Sequence, residues 1–294
     1  MSDVEPDTEQ LLALEGGRAF VDLSAWRKVR ASGSDAIGWL HDLLTADIAG
    51  LTSGTACRSL LLTPTGRIRA DVHVARRDDD VMLLQAPEQR EDIGLALRSY
   101  VLSSDVLLED RSEELALFAL PVGAASSVRA SDATSPSAIG PGFDVIVPAG
   151  EPATRFVGSC VGAGLEEAGP DALEAWRIRR GAARMGVDFD ERSLPAEAGL
   201  EGLIDFGKGC FLGQESVARV RNLGHPARVL RHLRGRGPAH RGDPVFADGS
   251  VVGEVTSATG RAEMHVIVRV GWDAADASFT LGDGRTLFSV LPSA

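Results

Sequence analysis

Cysteine is scarce in this 294-residue chain: Cys57, Cys160 and Cys210 are the only three, odd in number and far apart. That spacing offers neither a disulfide framework nor a paired-cysteine metal clamp, and it suits a reducing compartment. The six histidines form no HExxH or other paired spacing, so no metal site is expected. Long hydrophobic runs are missing too. No apolar stretch reaches the ~20 residues of a membrane helix, and residues 1–10 are acidic and polar where a secretory leader would be basic and then apolar. The expectation is a cytoplasmic protein with no membrane partner. Basic charge is not in excess either. A formal net charge of −12 argues against affinity built on blanketing phosphates, so no direct nucleic-acid partner is expected. The local exception is residues 228–241, where Arg228, Arg231, Arg234, Arg236 and Arg241 form either a solvated basic linker or a partner surface. No repeat of 20–50 residues runs through the chain, which argues against a solenoid.

What is present describes a folded protein of more than one unit. Hydrophobic residues make up 44% and charged ones 24%, with 33 Gly and 14 Pro marking many turns. A chain of this length exceeds what one core usually organises, so two or three packed units are expected. Residues 18–23 and 27–31 read as short strands, and Ile37, Leu40 and Leu44 recur at helical spacing over 34–44. Residues 58–62 and 67–75 read as strands joined by the turn Thr63-Pro64-Thr65-Gly66. In the second, Ile68, Ala70, Val72 and Val74 alternate with Arg67, Arg69, Asp71 and His73, giving one apolar and one polar face. Residues 81–85, 106–109, 115–121 and 143–148 are further strands. A helix is expected over 87–100 from its opening proline, others over 153–167 and 171–183, the last capped by Asp171, and a helix–loop mixture over 124–138. From residue 229 onward, short β-type runs punctuated by Asp248-Gly249 and Asp283-Gly284 predict a small all-β domain. Trp26, Trp39 and Trp176 are expected in the core, and Asp47 at the end of the 34–44 helix.

The most informative segment is Gly207-Lys208-Gly209-Cys210-Phe211-Leu212-Gly213-Gln214-Glu215. Three glycines in seven residues imply a tight backbone path that presents polar groups. Lys208, two residues from Cys210, could stabilise its thiolate; the plain alternative is a small buried cysteine in a turn. Residues 202–208 also fit the spacing G-x-x-x-x-G-K of a phosphate-binding loop. The next residue is Gly209 rather than Ser or Thr, and the loop interior is apolar, so that reading fails. Gly162-Ala163-Gly164 fails the dinucleotide fingerprint because Glu167 stands where a small residue is required.

Residues 208–215 resemble the K-G-C-(aromatic)-x-G-Q-E signature of the YgfZ-type folate-binding proteins, within the glycine-cleavage T-protein (aminomethyltransferase) superfamily. The resemblance extends over about residues 18–230, through Leu44-Thr45-Ala46-Asp47-Ile48, Gly66-Arg67-Ile68-Arg69-Ala70-Asp71, Arg177-Ile178-Arg179-Arg180-Gly181 and Leu194-Pro195-Ala196-Glu197-Ala198-Gly199-Leu200. It implies an α+β fold of three domains in a ring around a folate-sized channel: a disordered acidic tail (1–17), a discontinuous folate-binding α+β domain (18–48 and 112–225), an inserted α+β domain (49–111) and a C-terminal β-barrel (226–294). It also implies a tetrahydrofolate or one-carbon derivative as ligand, with Asp71 and Glu197 binding it. Lys208, Cys210, Gln214 and Glu215 would form a family-specific functional set, with iron–sulfur client or assembly proteins as partners. The implied role is support of iron–sulfur cluster assembly or repair, with indirect effects on tRNA modification. The alternative is a folate-dependent aminomethyltransferase or demethylase. T-proteins usually carry two adjacent acids where this chain has Ala70-Asp71, which weighs against an active aminomethyltransferase and leaves no catalytic residue assured.

Overall fold

The computed structural model describes residues 8–124, 133–134, 136–260 and 264–289. Two five-stranded sheets and a closed barrel organise them. The first sheet has the order β10-β1-β7-β9-β8, made of β1 (Ala19–Asp22), β7 (Leu115–Pro121), β8 (Ala133–Thr134), β9 (Gly142–Pro148) and β10 (Glu166–Glu167). The second, β3-β4-β5-β2-β6, contains β2 (Arg27–Ser32), β3 (Ala56–Leu62), β4 (Ile68–Arg76), β5 (Val81–Gln85) and β6 (Leu107–Asp110). All of its strands lie between β1 and β7 in the chain. Of the residues 18–48 grouped above in one unit, β2 (Arg27–Ser32) pairs within this second sheet, and Leu40, Leu44 and Ile48 pack in the same core as its strands. The barrel closes β11 (Arg228–Gly235), β12 (Pro244–Ala247), β13 (Ser250–Ala258), β14 (Met264–Gly271), β15 (Phe279–Leu281) and β16 (Thr286–Ser289) in the order β11-β14-β13-β12-β15-β16. Its core is Val229, Leu233, Val245, Val266, Val268 and Val270 among others. The α+β class and the terminal barrel are as the sequence led one to expect.

The alternation along β4 is realised in packing. Ile68, Ala70, Val72 and Val74 are buried, whereas Arg69 and Asp71 are partly exposed. The Asp248-Gly249 turn has positive φ at both residues, 49° and 77°, the backbone that a two-residue hairpin between twisted strands requires.

Helix limits differ from expectation in four places. Residues 8–15 of the supposed tail form α1 (Thr8–Glu15), which buries Leu11, Ala13 and Leu14, while the Gln10 side chain accepts the Gly169 N–H at 2.8 Å. The helix α2 (Ala36–Leu43) is as expected, but α3 spans only Ile93–Arg98. Asp92 caps α3 by accepting from the Leu95 N–H at 3.0 Å, so the start is fixed by a carboxylate rather than by Pro87. Next, α4 (Glu151–Gly162) stops before Gly164, whose φ is +83°, and Glu166–Glu167 joins the sheet edge instead. Finally, α5 (Pro170–Arg179) begins at Pro170 after Gly169; Asp171 lies in its first turn and makes no capping bond. Most of the expected helix–loop mixture over 124–138 lies outside the described residues. The last helix, α6 (Gln214–Leu223), follows the glycine-rich segment. No helix among the described residues is long and apolar enough to cross a membrane.

Candidate functional site

A cavity of about 100 Å³ opens where the inserted sheet meets α5 and the segment after it. Its polar wall is built on β4 and its neighbour. Asp71 and His73 stand two apart on one face of β4, and Arg58 lies opposite His73 on β3. Arg58 is thus diagonal to Asp71, and the two form a bidentate pair, Nε to Oδ1 at 2.8 Å and Nη2 to Oδ2 at 2.5 Å. The Arg58 guanidinium also donates to the Ala183 carbonyl at 3.2 Å, tying the sheet to the segment after α5. Behind Asp71, Gln89 clamps its backbone, accepting from the Asp71 N–H at 2.9 Å and donating to its carbonyl at 2.6 Å. Leu84, Leu173 and Met185 supply apolar wall, with Trp26 beside them.

Two titratable groups have defined states. His73 is 5% exposed and its Nε2 lies 2.9 Å from the Pro136 carbonyl. Burial pushes its imidazole down to about 4, so it is neutral at pH 7 and the Nε2 proton is donated to that carbonyl. The segment that roofs it is held by Asp144, which accepts from the Ser137 hydroxyl and, at 2.7 Å, from the Ala138 N–H. Burial drives the Asp144 carboxyl up to about 7 against the pull of those two donors. On the opposite wall, Arg184 pairs with Glu88 at 3.2 Å and Glu174 at 3.1 Å, but its Nε–H is buried and has no partner. An unpaired buried donor in a cavity wall favours a ligand that brings an acceptor oxygen.

Of the six residues expected from the sequence to be functional, Asp71, Glu197, Lys208, Cys210, Gln214 and Glu215, Asp71 alone lines this cavity. Glu197 does not line it; its Oε2 accepts from the Leu194 N–H at 2.9 Å, closing its own turn. Lys208 is half-buried, and its ammonium donates to the carbonyls of His41, Leu44 (2.6 Å) and Ala46 (3.0 Å). All three ammonium protons therefore satisfy carbonyls at the C-terminal end of α2 and none is left for Cys210. Burial lowers the Lys208 pKa, opposed by Asp47, Asp42 and Asp205. Phe211 packs under the ammonium, 5.4 Å from it. Gly213 holds φ +82°, and a Cβ there would sit 2.5 Å from the Thr63 carbonyl oxygen, so only glycine fits against the β3–β4 turn. The signature is thus a clasp on the inserted unit, and what it leaves exposed is Cys210. Glu215 is also exposed, paired only with Arg219 at 3.4 Å, while Gln214 opens α6. Cys57 is half-buried, with its thiol pushed up to about 11 by burial, and Cys160 is buried. Lys208→Met is expected to lower stability by ~1–3 kcal/mol through three unpaired carbonyls, measurable as a lowered urea midpoint.

Ala70 takes on a different meaning in three dimensions. It is fully buried in the cluster with Leu61, Val72 and Val74, on the face of β4 opposite Asp71. A carboxylate at 70 would point into that core, so the cavity loses no acid through this alanine. Asp47 closes a local turn after α2, accepting the Gly50 N–H at 2.9 Å and pairing with His41 at 3.2 Å. Trp176 is buried, Trp39 partly so, and Trp26 borders the cavity. Arg58 was legible in principle, since the hairpin turn at 63–66 fixes the register that brings it beside Asp71. Gln89, Arg184 and Met185 carry no local signal; only the packing of separate units brings them here.

Residues 8–133 match the GCVT N-terminal domain family. A putative chloroplastic transferase of Arabidopsis thaliana is 30% identical over 86% of this chain. This chain spans 65% of that protein's length. An aminomethyltransferase of Thermosynechococcus vestitus is 26% identical over 85% of this chain and 75% of its own. In fold, the chain is similar to the glycine cleavage system aminomethyltransferase T of Bartonella henselae, with a TM-score of 0.81 at 20% identity, over 96% of this chain and 89% of that one. The N-terminal part of the chain thus matches the GCVT N-terminal domain family, and the fold over nearly the whole chain is similar to that of an aminomethyltransferase T.

Proposed function

We propose that the chain binds tetrahydrofolate or a one-carbon derivative in the Asp71 cavity and uses it in aminomethyl transfer or a related one-carbon transfer. The observation that carries this reading is the buried, unpaired Arg184 Nε–H in the wall of a largely apolar cavity that also contains the Asp71–Arg58 pair. The donor set fits a pterin-type ligand, whose ring bears a carbonyl oxygen, and the walls of Leu84, Leu173 and Met185 suit a flat ring. The open volume is below the ~300–1,000 Å³ of common small-molecule clefts, and Met185, unbranched and adaptable, is the wall that can yield. Tetrahydrofolate supplies, when bound, a ring amine that carries a carbon unit at the formaldehyde level. Arg184 orients an acceptor oxygen of the ligand, Asp71 exchanges Arg58 for a cationic substrate amine, and the apolar wall excludes water. Relatives named aminomethyltransferase favour transfer chemistry over the accessory role.

The second reading, a YgfZ-type accessory protein for iron–sulfur cluster assembly or repair with indirect effects on tRNA modification, rests on a separate observation. The Lys208–Gly213 clasp leaves the Cys210 thiol exposed and available to a partner protein. Anaerobic calorimetry with tetrahydrofolate and 5-formyltetrahydrofolate tests the ligand. Wild type, Glu197→Ala and Cys210→Ala are expected to bind alike, and Arg184→Gln to bind ~1–3 kcal/mol more weakly. A loss confined to Glu197→Ala would place the ligand at the 194–199 turn instead, and no saturable binding by wild type ends the proposal. Ligand binding without any transfer activity, together with iron–sulfur enzyme defects in cells carrying Cys210→Ala, would give the accessory reading the lead.

A further inference from the structure

A second cavity, of about 250 Å³, lies between the β4–β5 turn of the inserted sheet and the edge strand β8 of the first sheet. Its lining is polar and balanced in charge: Arg30, Arg76 and Arg77 face Asp78, Asp79 and Asp80. Most of these groups satisfy one another. Arg30 Nε donates to Asp80 Oδ2 at 2.6 Å, the Arg76 guanidinium donates to the carbonyls of Asp80 (3.3 Å) and Asp78 (3.4 Å), and the Ser53 hydroxyl donates to Asp78 at 2.5 Å.

Two buried oxygens are left over. Asp80 is 8% exposed and its Oδ1 has no hydrogen-bond partner; Arg77 Nε approaches it only to 3.7 Å, too far for a hydrogen bond. Thr134 is 3% exposed and its Oγ1 is unpaired as well. Both residues line the same cavity, and a buried polar atom without a partner is costly enough to require one. The missing partner is a donor, because one of the two oxygens is a carboxylate that can only accept. Opposite it, the Arg77 side chain makes no polar contact closer than that 3.7 Å approach among the described residues and is about one-third exposed, a guanidinium suited to an incoming carboxylate. A divalent metal does not fit: no group of three or more His, Cys, Asp or Glu side chains among the described residues is arranged to hold one. A simple anion would meet three carboxylates.

We propose that this cavity is a second ligand site that takes a small zwitterion of the α-amino acid class, its ammonium donating to Asp80 Oδ1 and Thr134 Oγ1 and its carboxylate held by Arg77. The volume suits a short side chain. The site is separate from the Asp71 cavity and shares no lining residue with it.

The test is calorimetric titration of the full chain with glycine and with L-serine, using propionate and ethylamine as the two single-charge halves. Saturable binding of an amino acid is expected, with each half at least about tenfold weaker, since each makes only part of the contacts. Thr134→Val is close in shape and leaves every ion pair in place, so its expected tenfold loss cannot be ascribed to misfolding. Asp80→Asn and Arg77→Gln are expected to lose at least as much, whereas Arg184→Gln should leave amino-acid binding unchanged. No heat from wild type with either amino acid at about 50 mM, or unchanged affinity in both Thr134→Val and Asp80→Asn, overturns the proposal.

Discussion

Replacing Asp188 with alanine is expected to lower the stability of the chain by ~3–5 kcal/mol, the usual effect of removing one partner from a buried ion pair. Asp188 is 1% exposed and receives four donors: the Thr256 and Ser257 hydroxyls at 2.6 Å each, the Arg177 guanidinium at 2.8 Å and the Arg184 N–H at 3.0 Å. Arg177 in turn donates to Ser257 at 2.8 Å and to Glu174. The network joins α5 to β13, and so fastens the barrel to the first unit. In Asp188→Ala, Arg177 keeps Glu174 but loses the charge inside the junction, and the buried Ser257 hydroxyl loses its acceptor, while the Thr256 hydroxyl turns to the Ile267 carbonyl at 3.0 Å. Urea denaturation followed by tryptophan fluorescence measures the loss. A double variant, Arg177→Met with Asp188→Leu, should recover part of it, because it removes the buried guanidinium that the single variant leaves with Glu174 as its one carboxylate. A loss below about 1 kcal/mol in the single variant would mean that water reaches the pair. Arg177 also borders the Asp71 cavity, so the single variant should weaken ligand binding as well.

The second large effect is a pH dependence carried by Asp144. Its folded-state pKa of about 7 lies well above the ordinary aspartate value near 3.8. A raised carboxyl contributes stability that is complete below pH ~4 and is lost as pH rises through 7. The difference corresponds to ~4 kcal/mol between those limits. His73 works in the opposite sense: its folded value of about 4 lies below the unfolded 6.5, so its contribution is present above pH 6.5 and is lost on acidification towards 4. His232, also lowered to about 4 by burial, acts in the same sense as His73, so between pH 8 and pH 6.5 the two histidines oppose the Asp144 contribution. Asp144→Asn should therefore lose stability relative to wild type as pH falls through that window, in urea titrations at pH 8, 7 and 6.5, since asparagine has nothing to titrate and only the histidines remain. An unchanged slope in the variant would assign the dependence to another group. Because Asp144 holds the Ser137–Ala138 segment, the same pH change should also alter proton exchange at the His73 ring beneath the Pro136 carbonyl.

The local elements and the fold class were legible from the chain alone. Alternation along 68–74, the turn at 63–66, the Asp248-Gly249 hairpin and the valine-rich runs of the C-terminal third act through neighbours close in the chain, so β4, its pairing with β3 and the terminal strands were legible. Helix ends were less so. At α3 and α5 the deciding contacts were a side chain at 92 and a proline at 170 rather than the hydrophobic pattern. The use made of the marked residues was decided only by tertiary structure. Lys208 looked like a neighbour for Cys210, but a flexible ammonium goes to the densest set of free acceptors, and those are carbonyls more than 160 positions away at the end of α2. Glu197, expected to bind the ligand, lies outside the Asp71 cavity, where its Oε2 accepts from the Leu194 N–H. Ala70 looked like a missing acid, although the pleat of β4 turns it into the core. The cavity is made of residues 26, 58, 71, 89, 173 and 184, drawn from separate units. No local pattern encodes that meeting, because it depends on how whole sheets and helices bury their faces against each other.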